Sequence, residues 1–150
     1  MSTLVRLASI ADADTIARYQ VQMAMESENK SLDFHVVKTA VRAVFDDAAK
    51  GFYLVADVED RRVGSLLMTT EWSDWRNGDI WYIQSVFVER EFRGRGIFRK
   101  MYDRVVEMAR QQGVLFLRLY VEVENEHAQQ VYEALGMKRM PHYMYDVRVV

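Results

Sequence analysis

Gly94 and Gly96 stand one residue apart in the stretch "REFRGRGIFRKMYDRVVEMARQQG", among Arg90, Arg93, Arg95, Arg99 and Lys100. A helical pattern follows without a proline, with Ile97, Phe98, Met101, Tyr102, Val105, Val106 and Ala109 on one side. A glycine turn at the mouth of a helix is suited to holding an anion. The first amides of a helix have no partner inside it, and the helix dipole favours negative charge there. Glycines let the backbone approach a ligand closely, and arginines add charge-assisted contacts to phosphate oxygens. The ligand expected of such a cradle is a pyrophosphate. A dinucleotide fingerprint needs a third glycine, and position 99 is arginine; the P-loop pattern is absent. Coenzyme A remains as the candidate.

The elements that position this turn follow from periodicity. "TLVRLAS" reads as a strand, and Ser9 precedes a helical face formed by Ile16, Gln20, Met23 and Ala24. A second helix is expected over "SLDFHVVKTAVRAVFDDAAKG". Asp33 is its cap, Val36, Val37, Ala40, Val41, Val44, Phe45 and Ala48 form its face, and Gly51 is a left-handed terminator. Three strands come next, "FYLVADVE", "RRVGSLLMTTEW" and "DIWYIQSVFVE", with turns at "EDRR" and Asn77-Gly78. After the long helix, which Gly113 ends, come a strand at "VLFLRLYVEV" and a helix from Asn125 to Gly136. "MYDVRVV" is expected as a last strand. The order β-α-α-β-β-β-α-β-α-β, with hairpins and helix crossovers together, predicts an α/β chain with a mixed sheet in one domain, 1–150.

Composition limits the function. Half of the residues are hydrophobic, 28% are charged, and the formal net charge is -2, which disfavours a general nucleic-acid binder. There is no cysteine, so thiolate nucleophiles and cysteine metal sites are excluded. His35, His127 and His142 lack paired ligand spacing, so no metal is expected. Met1 to Ala11 has no long apolar core, and no apolar run is long enough to span a bilayer, so a cytoplasmic location is the expectation.

The chain resembles the GNAT-type N-acetyltransferases. Their [QR]-x-x-G-x-[GA] turn is matched by Arg93-Gly94-Arg95-Gly96-Ile97-Phe98, except that Phe98 stands in place of glycine or alanine. That side chain is expected to turn away from the phosphate into the packing face of the helix. A later signature of the family is matched at Asn125, Ala128, Tyr132 and Gly136, with Met137 for the usual phenylalanine. The resemblance implies the GNAT fold with a splayed central sheet and acetyl-CoA as co-substrate. It implies that Val86, Phe87 and Val88 pair with the pantetheine arm. The turn from Arg93 through Gly94, Arg95, Gly96, Ile97 and Phe98 to Arg99 would hold the pyrophosphate, and Asn125 would face the arm.

The resemblance also makes Tyr132 the proton donor to the leaving thiolate; by spacing alone it is a core aromatic. Asn125 reads equally as a helix cap. Glu122 reads as a general base or as an exposed carboxylate at a strand end. Glu26 and Glu28 read as acceptor-site groups or as a solvated helix end, with Gln84 and Ser85 as further polar groups for the acceptor. Trp72, Trp75 and Trp81 are expected to divide between the core, a dimer contact and the wall of the acceptor site. No nucleophile elbow surrounds Ser65, so direct transfer in a ternary complex to a small primary amine is expected. The expected partners are acetyl-CoA, that amine and a second copy of the chain, and neither nucleic acid nor membrane. The competing readings are an acyl-CoA-binding module without turnover and an RNA-binding module built on "RGRG".

Overall fold

The computed structural model describes residues 2–150; Met1, the first residue of the stretch read for a leader, lies outside them. Two compact units divide the chain, one running to Leu119 and the other being Tyr120–Val150.

The first unit is built on a five-stranded sheet in the order β1-β2-β3-β4-β5. Its strands are β1 (Thr3–Leu7), β2 (Phe52–Val58), β3 (Arg61–Ser73), β4 (Gly78–Val88) and β5 (Phe116–Leu119). The first three pairings are antiparallel and β4–β5 is parallel, so the sheet is mixed, as expected. Helices α1 (Ala13–Glu28) and α2 (Phe34–Asp46) lie between β1 and β2 in sequence, and α3 (Ile97–Gln112) makes the parallel crossover.

Alternation along the strands supplies two cores. Leu54, Leu66, Met68, Trp81 and Ile83 pack with Ile97, Met101 and Val105 of α3. Tyr53 and Val55 pack instead with Ala13, Ile16 and Ala17 of α1 and Val41 of α2. Trp81 is therefore a core residue, edge-on to Phe52, whereas Trp72 and Trp75 are exposed.

Local chemistry explains most of the boundaries. The Asp33 carboxylate accepts from the His35 amide at 2.8 Å and starts α2. Glu59 and Asp60 both take left-handed φ, 50° and 66°, which is the two-residue hairpin geometry that follows the sheet twist. The expected left-handed cap at Gly51 is not what forms. α2 ends at Asp46; a 3-10 turn, Ala48–Lys50, follows, and Gly51 caps it at φ 136°, where a β-carbon would collide with the Met68 carbonyl. In the first turn Asp12 is buried. It accepts from Arg6 at 2.9 and 3.1 Å and from the Ser9 amide at 2.8 Å, and it pairs with Arg62 at 2.8 Å. Burial alone would raise its pKa, but the Arg6 and Ser9 hydrogen bonds and the charges of Arg6 and Arg62 outweigh that and hold it below the usual value.

The second unit contains one helix, α4 (Glu126–Ala134). The expected strand over "VLFLRLYVEV" is only four residues long, Phe116–Leu119. The expected last strand does not form: residues 137–150 have no regular secondary structure. A strand exists only where a neighbour takes up its backbone hydrogen bonds, which an alternating pattern does not supply by itself.

Candidate active site

The glycine turn adopts the expected geometry. Gly94 and Gly96 have φ of 74° and 79°, and a β-carbon built on either meets nothing within 4 Å. The side on which side chains would otherwise stand is open to a ligand. Gly96 is the N-cap of α3 and offers no side chain to its amides. The first backbone bond is from the Lys100 amide to the Gly96 carbonyl at 3.1 Å, so the amides of Ile97, Phe98 and Arg99 lie ahead of the helical ladder. Ile97 is buried, and Phe98 packs against the α3-side core, its ring 6.3 Å from that of Tyr102. The bulky residue at this position therefore leaves the cradle clear. These features fit a pyrophosphate: open space, a helix N-terminus whose first amides lie ahead of the ladder, and exposed Arg95, Arg99 and Lys100.

β4 prepares a second surface beside the turn. Leu67 pairs with Gln84 but Ser65 pairs with Phe87, so β4 carries one extra residue, and Ser85 takes φ 52°. Pairing with β5 ends at Ile83 and Leu119, just before this bulge. From Gln84 to Val88 no strand pairs with the outer side of β4 among the described residues. The Glu89 amide bonds the Val63 carbonyl on the β3 side at 2.7 Å. Backbone groups alternate in direction along a strand, so Val88 and Val86 turn theirs outward. The Val88 carbonyl accepts from Arg93 Nε at 2.7 Å. An extended amide-bearing ligand could add to this edge as a strand does.

Arg93 is at the centre of this corner. Its Nη2 donates to Glu26 at 2.7 Å and its guanidinium lies 5.4 Å from the centroid of the Phe87 ring. Arg90 reaches the other Glu26 oxygen at 3.3 Å. The Arg93 hydrogen bond chiefly, against a smaller effect of burial, holds the Glu26 carboxyl below its usual value. Phe87 stacks on Tyr19 at 4.7 Å, and the single hydroxyl proton of Tyr19 has two acceptors in reach, the Arg62 carbonyl at 2.8 Å and Glu89 at 3.0 Å. Burial and the neighbouring Glu89 push the Tyr19 phenol up. Glu26, proposed from sequence for the acceptor, is thus joined to the cradle arginines. Glu28 is exposed and faces Lys30 at 3.5 Å. Gln84 donates to the Thr69 hydroxyl at 2.7 Å. Spacing gave no sign of the Glu26–Arg93 pair or of the bulge at Ser85.

In the second unit, Asn125 caps α4, its side chain accepting from the Ala128 amide at 3.1 Å. Tyr132 is half-buried, and burial raises its phenol. Glu122 is exposed, and its carbonyl accepts from the Asn125 amide at 3.0 Å and from Gln129 at 3.1 Å.

A mixed sheet with a bulged fourth strand, an open edge beyond the bulge and a glycine turn leading into the crossover helix together make up the candidate site. The sequence profile of the "Acetyltransferase (GNAT) family" matches residues 18–137. Thialysine N-epsilon-acetyltransferase of Bos taurus is 31% identical over 142 residues, 89% of this chain and 82% of that protein. An uncharacterized N-acetyltransferase of Methanocaldococcus jannaschii is 33% identical over 89 residues, 59% of this chain but 39% of that protein. The crystal structure of a possible acetyltransferase from Clostridium difficile 630 superposes with a TM-score of 0.93 at 38% identity, covering 100% of this chain and 99% of that one. The chain belongs to the GNAT family of N-acetyltransferases. The family uses acetyl-CoA. Among the described residues no helix is long and apolar enough to cross a membrane, and no group of three or more His, Asp or Glu is placed to hold a metal.

Proposed function

We propose that residues 1–150 act as one catalytic domain that transfers an acetyl group from acetyl-CoA to the primary amine of a small molecule. We take it to work as a cytoplasmic homodimer, by direct transfer in a ternary complex. The observation that carries this reading is the open Gly94–Gly96 turn at the start of α3, next to the unpaired edge of β4. A relative named for thialysine Nε-acetylation favours a small, lysine-like amine as acceptor.

When bound, acetyl-CoA supplies an acyl thioester. Val86, Phe87 and Val88 offer a strand edge to its amide-bearing arm, and the turn from Arg93 to Arg99 holds its phosphates with backbone amides and arginines. Asn125 caps α4 and faces the arm near the thioester. A lysine-like amine, with a pKa of ~10.4, arrives as an ammonium and must lose a proton before it attacks. Glu122 is the proposed base, directly or through water, and Glu28, Gln84, Ser85 and the pair-held Glu26 line its approach. Tyr132 gives its phenolic proton to the departing sulfur. Its raised pKa suits that role, because it arrives at the step protonated.

Thermal unfolding with and without coenzyme A tests the reading. At a hundredfold excess over the dissociation constant, binding adds ~2.7 kcal/mol, a midpoint rise of roughly 5–10 °C for a chain of this size. Release of free thiol in a panel of primary amines then reports turnover. The absence of any shift at millimolar ligand, with calorimetry also silent, would overturn the proposal.

A further inference from the structure

We infer that Glu71 and Arg118 form a subsite for the α-ammonium and α-carboxylate of the acceptor, so that the amine acetylated is the side-chain end of a lysine-length amino acid and not one end of a polyamine. The inference deepens the proposed transfer to a small lysine-like amine and rests on that reading.

Strand register places both groups on one face of the sheet. Arg118 is the ladder partner of Tyr82, and Tyr82 is that of Thr69. Leu67 precedes Thr69 by two residues and Glu71 follows it by two. Ladder partners share a face, and so do residues two apart along a strand. Leu67 packs on the core beneath α1 and α2, so Thr69, Glu71, Tyr82 and Arg118 turn to that side. Trp81 and Ile83, which alternate with them, pack toward α3.

The two charges stand side by side. Arg118 Nη1 is 3.7 Å from Glu71 Oε2, which is longer than a hydrogen bond. The Arg118 guanidinium also lies 5.8 Å from the centroid of the Phe116 ring. The other Glu71 oxygen is 3.5 Å from the Tyr82 hydroxyl. A planar fork held by a ring face and a long ion pair is set to take a carboxylate on parallel hydrogen bonds. Glu71 beside it attracts an ammonium. A neighbouring cation and anion complement the two charges of an α-amino acid. A polyamine brings only cations, and one of them would face Arg118.

The length of the path fits a lysine side chain. Gln84 lies two residues beyond Tyr82 on the same face. Its Nε2 donates to Thr69 Oγ1 at 2.7 Å, so its carbonyl oxygen is the group that meets an arriving ammonium. Tyr82 and the bulge at Ser85 are three residues apart, about 10 Å at ~3.4 Å per residue. An extended lysine chain reaches about 6 Å from its α-carbon to its terminal nitrogen, and the hydrogen bond to Arg118 adds about 3 Å. The terminal amine therefore arrives beside Gln84, where the open edge of β4 begins.

Three amines test the subsite: L-lysine, cadaverine, which lacks the carboxylate, and ε-aminocaproate, which lacks the α-ammonium. Calorimetric titration of the coenzyme A complex measures their binding without turnover, and thiol release from acetyl-CoA measures their acetylation. L-Lysine should bind about ten- to hundredfold more tightly than cadaverine, the usual worth of a charge-assisted hydrogen bond. Mass spectrometry should find the acetyl group on its side-chain nitrogen. Arg118→Gln should weaken L-lysine and ε-aminocaproate, through the Michaelis constant more than turnover, and not cadaverine. Glu71→Gln should weaken L-lysine and cadaverine, and not ε-aminocaproate. A merely structural Arg118 would cost all three amines alike, and that result overturns the inference. So does equal binding of L-lysine and cadaverine by the parent chain, or no binding of L-lysine at millimolar concentration. A chain that acetylates cadaverine as well as L-lysine fails this inference alone. A chain that binds L-lysine selectively but releases no thiol with any amine fails the functional reading alone.

Discussion

Glu26 and Arg93, 67 positions apart in sequence, meet at 2.7 Å and tie the last turn of α1 to the glycine turn that opens α3. Arg93 divides its donors between this carboxylate and the Val88 carbonyl at the open strand edge. A pyrophosphate arriving at the cradle therefore meets an arginine already engaged by a carboxylate.

Replacing Glu26 with Gln should tighten coenzyme A binding. Glu26 is partly exposed, and exposed ion pairs are worth about 0.2–1 kcal/mol, so the gain should be at most about fivefold. Titration calorimetry gives the dissociation constant, and steady-state kinetics give the Michaelis constant for the amine. A raised Michaelis constant with unchanged cofactor affinity would show that Glu26 acts on the acceptor alone.

Gly96→Ala should act twice. At φ 79° a side chain costs about 1–2 kcal/mol, a midpoint loss of roughly 2–8 °C. The new methyl also stands in the open space over the turn, so most of the coenzyme A-induced thermal shift should vanish. A full shift in this variant would show that phosphate is held elsewhere.

Tyr132→Phe should lower turnover at least tenfold and leave acetyl-CoA affinity nearly unchanged, since general acid catalysis is typically worth ~10²–10⁴. Burial lifts the phenol above its ordinary value of 10.0, so it stays protonated through neutral pH, and the parent's turnover should begin to fall from this group only above pH 10. A pH–rate profile of both proteins checks this. Equal turnover where chemistry limits the rate returns Tyr132 to packing alone.

Asp12→Asn should be strongly destabilising. It removes the carboxylate between Arg6 and Arg62 and leaves two guanidiniums facing each other across a buried amide. Breaking a fully buried pair costs ~3–5 kcal/mol; with both arginines about a third exposed, about 2–4 kcal/mol is expected. The folded carboxyl titrates below its ordinary value near 3.8, so its contribution is complete at neutral pH and is lost as pH falls below about 4. Chemical denaturation from neutral to acid pH should show the gap between parent and variant constant, then narrowing. A gap independent of pH would assign the loss to packing.

The sequence made the cradle legible because its signals are local: glycines at positive φ, basic neighbours, and a helical stripe whose packed face includes Ile97, Met101 and Val105. Caps at Asp33 and Asn125 were legible for the same reason. The Glu26–Arg93 pair was not, because nothing near either residue marks a partner on another element. Ser85 was not, because serine carries no preference for the left-handed backbone that the bulge imposes. Gly51 is legible as the end of a helical segment, here the 3-10 turn Ala48–Lys50, but the Met68 carbonyl that crowds it lies on another element and leaves no local mark. The last strand was legible as a pattern, but a pattern does not supply the neighbouring strand that would complete its ladder.

The extra residue at Ser85 also reverses an odd-even count. Before it, odd-numbered Trp81 and Ile83 face α3; after it, even-numbered Val86 and Val88 do, and odd-numbered Phe87 turns to Tyr19 on the opposite face. The backbone groups reverse with the side chains. Deleting Ser85 would restore unbroken alternation: Phe87 would stay on the Tyr19 face, Val86 and Val88 would stay toward α3 with their backbone groups outward, and only the bulge would go. The bulge is thus what lets a strand one residue too long for its partner keep the same atoms turned toward the site.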